Sequence, residues 1–408
     1  MKQRNLLTKP ALAAAAFLAG AVLPSHAQTW QTVDDFQYTP GLSAVSGDMG
    51  TDPNGNIYAV GSGTTTADGS GRVAMINMSA DQGATWTTLP EFAEPGWSWA
   101  HYWAFTSDAS GRLYVGGNGR MADWPAQQPL SCIIRESVDG GANWTSTDDF
   151  EFGCADLKVN STTADVYASG SSSATLGWIV RKRAPGDTQF TTVDLPFPSG
   201  SGWAIGFHPT RGVFVVGDPY SVWTVRRSAS GNADTWATVD TFYNRTEWTS
   251  GHALDIEVAN SGTIYVAGWA YSSKTRKNHW IVRASADGGT TWTISDSFSY
   301  GGSTVQVNGM TQDAAGNLFV CGQAANSSGR LYWLVRKGTP TTKLVKQGGN
   351  WVQVTTVAWT TSDIFQFGSG QPAMANGITA NATGNVFVSG RAADASGVDH
   401  WIVRKLTP

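Results

Sequence analysis

The chain is short of charge, of cysteine and of histidine, and each shortage closes off a class of protein. Only 14% of its 408 residues are charged, 27 basic against 31 acidic, for a net charge of −4. Phosphate binding relies on a basic surface, so no nucleic-acid partner is expected. Three cysteines cannot build a disulfide framework; Cys132 and Cys154 can pair after export, whereas Cys321, in an apolar strand, is expected buried and free. Six histidines show no metal-ligand spacing, and neither a Gly-x-Ser-x-Gly motif nor a phosphate loop occurs. Asp52-Pro53-Asn54-Gly55-Asn56 opens like a calcium loop, but its twelfth position is Gly63 rather than Glu. No metal and no cofactor are therefore expected.

Long apolar runs are missing except at the front. Lys2, Arg4 and Lys9 precede an apolar Ala11–Leu23 and a small-residue site, Ser25-His26-Ala27. Residues 1–27 read as a signal peptide and 28–408 as one exported domain, secreted or periplasmic, a monomer with no membrane insertion.

What the chain has in quantity is glycine, 47 residues, and tryptophan, 19, arranged in a repeat. GNIYAVG ends at Gly61, GRLYVGG at Gly117, ADVYASG at Gly170, GVFVVG at Gly217, GTIYVAG at Gly268, GNLFVCG at Gly322 and GNVFVSG at Gly390. These closing glycines lie 47 to 68 residues apart. A period near 50 built only of strands predicts an all-β, seven-bladed β-propeller of four-stranded blades. Each repeat has a Gly/Ala-rich first strand, the IYVAG-like second, a third reading WIVR and a fourth reading WTTVD. The segment Trp30–Phe36 reads as a fourth strand with nothing before it, and Trp401–Arg404 as a third with no fourth after it. A ring joins them, the N-terminal strand completing the last blade.

Arg135, Arg181, Arg226, Arg283, Arg336 and Arg404 end the third strands; Asp148, Asp194, Asp240, Asp296, Asp363 and Asp34 end the fourth. Repeat one has Asn77 and Pro90 in these two slots, so both partners are lost together. Ion pairs within or between blades are the expected use.

Between third and fourth strands stand Ser79-x-Asp81-x-Gly83-x-x-Trp86, Ser137-x-Asp139-x-Gly141-x-x-Trp144 and Ser285-x-Asp287-x-Gly289-x-x-Trp292. The Asp can accept turn N–H groups, the Gly allows positive φ and the Trp anchors the hairpin. The pattern resembles the Asp-box, or bacterial neuraminidase repeat, of sialidase-like propellers. The resemblance implies that these turns are structural and that binding occurs on the opposite face. It does not extend to the sialidase Arg-Ile-Pro motif, which is missing, and the repeat wording is closer to that of uncharacterised secreted bacterial proteins.

On the face away from these turns the loops are uneven. The loop opening repeat two carries Trp97, Trp99, His101, Tyr102 and Trp103, and its second loop adds Arg120, Asp123 and Trp124. Aromatic faces beside polar groups suit stacking on sugar rings. Repeat five offers Arg245, Glu247, Trp248 and His252, then Tyr271, with Asp255 in the innermost strand. Glu247 and Asp255 are candidates for a hydrolytic carboxylate pair. Asp48, Asp156 and Asp255 fall at equivalent innermost positions, and hydrogen bonds to nearby backbone are their expected role. Residues 339–350 read as an insertion on the turn face. The leading expectation is a non-catalytic propeller binding a glycan or extracellular protein. A glycoside hydrolase or lyase near repeat five and an assembly scaffold stay open beside it.

Overall fold

A computed structural model describes residues 29–89, 97–121, 131–150, 152–172 and 177–408. The expected signal peptide, Pro90, Asp123 and Trp124 lie outside these residues. The structure is an all-β propeller: five four-stranded antiparallel blades and one eight-stranded sheet. The larger sheet belongs to repeats one and two, and the expectation of a separate four-stranded blade for each repeat is corrected here. Repeat one's fourth strand is only Thr87–Thr88, pairing with Asn77 and Met78. The long first strand of repeat two, Trp97–Ser107, meets the same edge in parallel at Arg72 and Trp99. At the other end of the chain, Trp30–Phe36 pairs antiparallel with Asp399–Leu406 and completes the last blade.

Buried apolar side chains gather in seven clusters, each shared by two successive repeats and the last by repeats seven and one. The repeated sentence has a packing reason. Trp178, Trp223, Trp280, Trp333 and Trp401 of the third strands are wholly buried. A Cβ on Gly217, Gly268, Gly390 or Gly61 would lie 2.4 to 2.8 Å from the indole of the preceding repeat. A closing glycine is thus the socket for its neighbour's tryptophan.

Farther out, arginines staple the blades, and always to the repeat before. Arg181 bonds Asp148, Arg226 bonds Asp194, Arg283 bonds Asp240, Arg336 bonds Asp296 and Arg404 bonds Asp363, at 2.6 to 3.0 Å. A β-bulge just before each of these aspartates sets the register. Since pairing runs between repeats, the double loss in repeat one alters two boundaries rather than one. Asp34 occupies the slot whose partner is Asn77, and its Oδ2 is buried without a hydrogen bond. Burial pushes its pKa up to about 6. Arg135 occupies the slot whose partner is Pro90, and it donates to Ser146 of its own repeat. A disulfide, Cys132–Cys154, ties the third strand of repeat two to the first strand of repeat three. Cys321 is buried and free.

The three Ser-x-Asp turns are hydrogen-bonded alike. Gly83, Gly141 and Gly289 donate N–H to Ser79, Ser137 and Ser285, and each serine donates to its Asp81, Asp139 or Asp287. The glycines stand at φ of +83°, +94° and +91°, the left-handed region that disfavours any side chain. Trp144 and Trp292 donate to the carbonyls of Gly141 and Gly289, while Trp86 packs on the cluster between repeats seven and one.

Candidate functional site

Every first strand carries a bulge, so one residue of each is displaced near the middle of the ring. Register then aligns the repeats residue by residue. His101 of repeat two and His252 of repeat five stand at the same position, one before the residue opposite the closing glycine. Each reaches back to the residue after the closing glycine of the preceding repeat. For His101 that residue is Ser62, and for His252 it is Asp218.

Among the described residues, the Asp218–His252 pair is a chemically directed arrangement on the loop face. Asp218 is 7% exposed and accepts from His252 Nδ1, from the Ser201 N–H at 3.0 Å and from the indole N–H of Trp203. Burial alone would raise its pKa; the donations of His252 and Trp203 outweigh it and hold the carboxyl below its usual range. The His252 ring stacks on Trp269 with centroids 4.2 Å apart and planes 19° off parallel, which fixes its orientation. Among the described residues its other nitrogen has no hydrogen-bond partner, and the side chain is 25% exposed. A carboxylate orients the imidazole from one side while the other side is open to a ligand. Around the pair stand Trp203, 38% exposed, and Tyr220, 62% exposed. Tyr220 is held at φ +54° by the tight Pro219–Ser221 turn. Exposed aromatic side chains beside a fixed carboxylate and a partly exposed imidazole are the groups that polyols engage.

The cluster of repeat two is different. His101, expected as a ligand contact, is 0% exposed and packed into the boundary with repeat one, which corrects that expectation. Tyr102, 3% exposed, lines a cavity of about 160 Å³ at the same boundary together with Trp97, Arg72 and Ile133. His101 Nδ1 shares a hydrogen bond with Ser62 Oγ at 2.6 Å. Burial, with Arg72 as a second cause, pushes the His101 pKa down to about 3, so the ring is neutral. Trp97, Trp99 and Arg120 are half-buried, and Trp103 is 40% exposed beside His101.

The hydrolytic pair does not assemble. Glu247 precedes the strand Trp248–Val258 and pairs with Lys274 at 2.7 Å. Asp255 lies eight residues further along the chain, roughly 20 to 25 Å away at strand rise. Two glycosidase carboxylates stand about 5 to 9.5 Å apart. Arg245 is exposed, and Tyr271 is half-buried between Ser250 and Asn278.

The central channel uses its acids as the sequence suggests. Asp48 accepts the Phe105 N–H, Asp156 the Ile205 N–H and Asp255 the Met310 N–H, each from the following repeat. Repeats one, three and five thus latch to two, four and six. Asn308 and Asn376 make the latches to repeats seven and one, on the carbonyls of Ala375 and Ser46. Two residues deeper, Lys158 and Glu257 occupy equivalent positions on repeats three and five. Enclosure raises Asp48 to about 6 and Glu257 to about 7, against the opposing pull of Lys158. Among the described residues no group of three or more His, Cys, Asp or Glu side chains forms a metal cage.

No family model matches the chain, and no curated protein is similar to it in sequence. Among solved structures, a protein of unknown function from Dyadobacter fermentans is similar in fold. It is 11% identical with a TM-score of 0.48, over 93% of this chain and 99% of that chain.

Proposed function

We propose that the protein is a secreted, non-catalytic propeller that binds a neutral glycan on the loop face, at the boundary of repeats four and five. The observation that carries this reading is the grouping of Trp203, Tyr220 and the His252–Trp269 stack around Asp218. We count the eight-stranded sheet as two blades, for seven in all, and read the Ser-x-Asp turns as Asp-boxes of a sialidase-like frame. The Cys132–Cys154 bond supports an extracytoplasmic location. Stacking supplies area at low entropy cost, and Asp218 with His252 fixes hydroxyl orientation.

The test is calorimetric titration of the purified protein with a panel of neutral oligosaccharides. Trp203→Ala and Tyr220→Ala should weaken binding about tenfold or more, with stability changed by less than about 1 kcal/mol. Unchanged affinity in both variants would overturn the assignment. The distance between Glu247 and Asp255 argues against the hydrolase reading; turnover lost in His252→Gln would restore it with another residue.

A further inference from the structure

The third and fourth strands of repeat six run far past their neighbours, as Leu331–Gln347 and Asn350–Phe365. Beyond Thr341 and Thr356 they form a two-stranded arm, closed by Gly348 and Gly349, at φ +56° and +93°. From Thr341 to Gln347 it spans about 20 Å at strand rise. Such a ribbon is marginally stable alone, and among the described residues no third strand pairs with either edge beyond Thr341 and Thr356. Near its tip Trp351 is 67% and Leu344 62% exposed, with Lys346 directly opposite Trp351. No Asp or Glu occurs from Ala314 to Ser362, whereas Arg330, Arg336, Lys337, Lys343 and Lys346 all do. The arm is the basic, apolar part of an acidic chain.

The face from which it rises offers the complement. Between repeats six and seven lies a cavity of about 370 Å³ lined by Phe319, Val386, Leu406 and Pro408, with Asp313 and Ala314 at its side. Its walls are the turns joining first to second strands, at the same end of the sheets as the arm. On that face Asp81, Asp139 and Asp287 are exposed, and bonds from their turns keep them ionised. A knob and a hole on one face, with turn carboxylates standing among basic residues such as Lys337 and Lys405 and within the reach of a partner's lysines, are what a two-fold axis needs to make both contacts at once.

We propose that two copies of this chain associate turn face to turn face, each arm crossing to seat Trp351 in the other's cavity between repeats six and seven. The loop face, and any ligand on it, then points outward on both sides. Sedimentation equilibrium of the whole purified protein tests this. Expected is a dimer that dissociates on dilution and with added salt, because Lys343 and Lys346 face carboxylates. Trp351→Ala and Ala314→Arg, both at exposed positions, should each shift the mass from twice the chain to once, with unchanged melting. A monomer throughout the micromolar range, or a dimer that both variants leave intact, overturns the proposal. So does a monomer that binds anionic phospholipid vesicles through Trp351, which would assign the arm to lipid.

Discussion

The boundaries between repeats one and two and between repeats four and five are the same construction carried out with different chemistry. At the inner level both place a histidine against the residue after a closing glycine. His101, wholly buried, meets a hydroxyl, whereas His252, partly exposed, meets a carboxylate. At the outer level Arg283 clasps Asp240 in a bidentate pair over Phe242, while Arg135 turns to Ser146. Equivalent positions in the fold therefore carry different chemistry, and the acid at residue 218 makes the difference.

The largest expected effect concerns the buried histidine. In the unfolded chain His101 takes up a proton near its usual 6.5, but in the native state only near about 3. Stability is then fully present above about pH 6.5 and is lost as pH falls toward 3, by about 4 kcal/mol. Urea titrations at stepped pH should show this slope in the wild type and its disappearance in His101→Gln. The same change at His252 should cost only its bond to Asp218, about 1 kcal/mol at pH 7. Equal acid slopes in wild type and His101→Gln would erase the contrast.

The outer level gives a somewhat smaller difference. Arg283→Ala strands a buried Asp240 carboxylate and should cost about 3 kcal/mol. A double-mutant cycle should find Arg283 coupled to Asp240 by more than about 1 kcal/mol, and Arg135 coupled more weakly to Ser146. Zero coupling between Arg283 and Asp240 would show that the guanidinium acts through packing alone.

The smallest effect has the opposite sign. Asp34 binds its proton more tightly folded, at about 6, than unfolded, near 3.8. Its contribution is therefore intact below pH 3.8 and lost as pH rises through 6. Asp34→Asn should stabilise the protein at pH 7.5 by about 1 kcal/mol, a figure reduced for the group's partial exposure, and should be neutral at pH 3.5. A variant destabilised at pH 7.5 would mean that Asp34 has a partner.

The ring, its strand order and its closure were legible in the sequence, because a strand's period of two and a glycine paired with a tryptophan leave little choice of packing. The partner of each arginine was not. Within-blade and between-blade pairing read alike along the chain, and only the bulges of the fourth strands decide. His101 misled because a histidine in a loop and one buried between repeats have the same letter. Asp218 did leave a signal. After the seven closing glycines come Ser62, Asn118, Ser171, Asp218, Trp269, Gln323 and Arg391, and only one of these is an acid. Glu247 and Asp255 could not be measured against each other until the strand between them was known to be extended.

The closure at Trp30–Phe36 also makes one boundary unlike the rest. Six boundaries join repeats that follow one another, whereas this strand and its partner, Asp399–Leu406, are joined by a bond between residues 374 positions apart. Closing so long a loop costs only slightly more entropy than closing a short one, because the cost grows with the logarithm of length. The strand acts as a clasp: with it in place the last blade has its fourth strand and the socket at Gly61 its tryptophan, and without it the last sheet would present a bare edge.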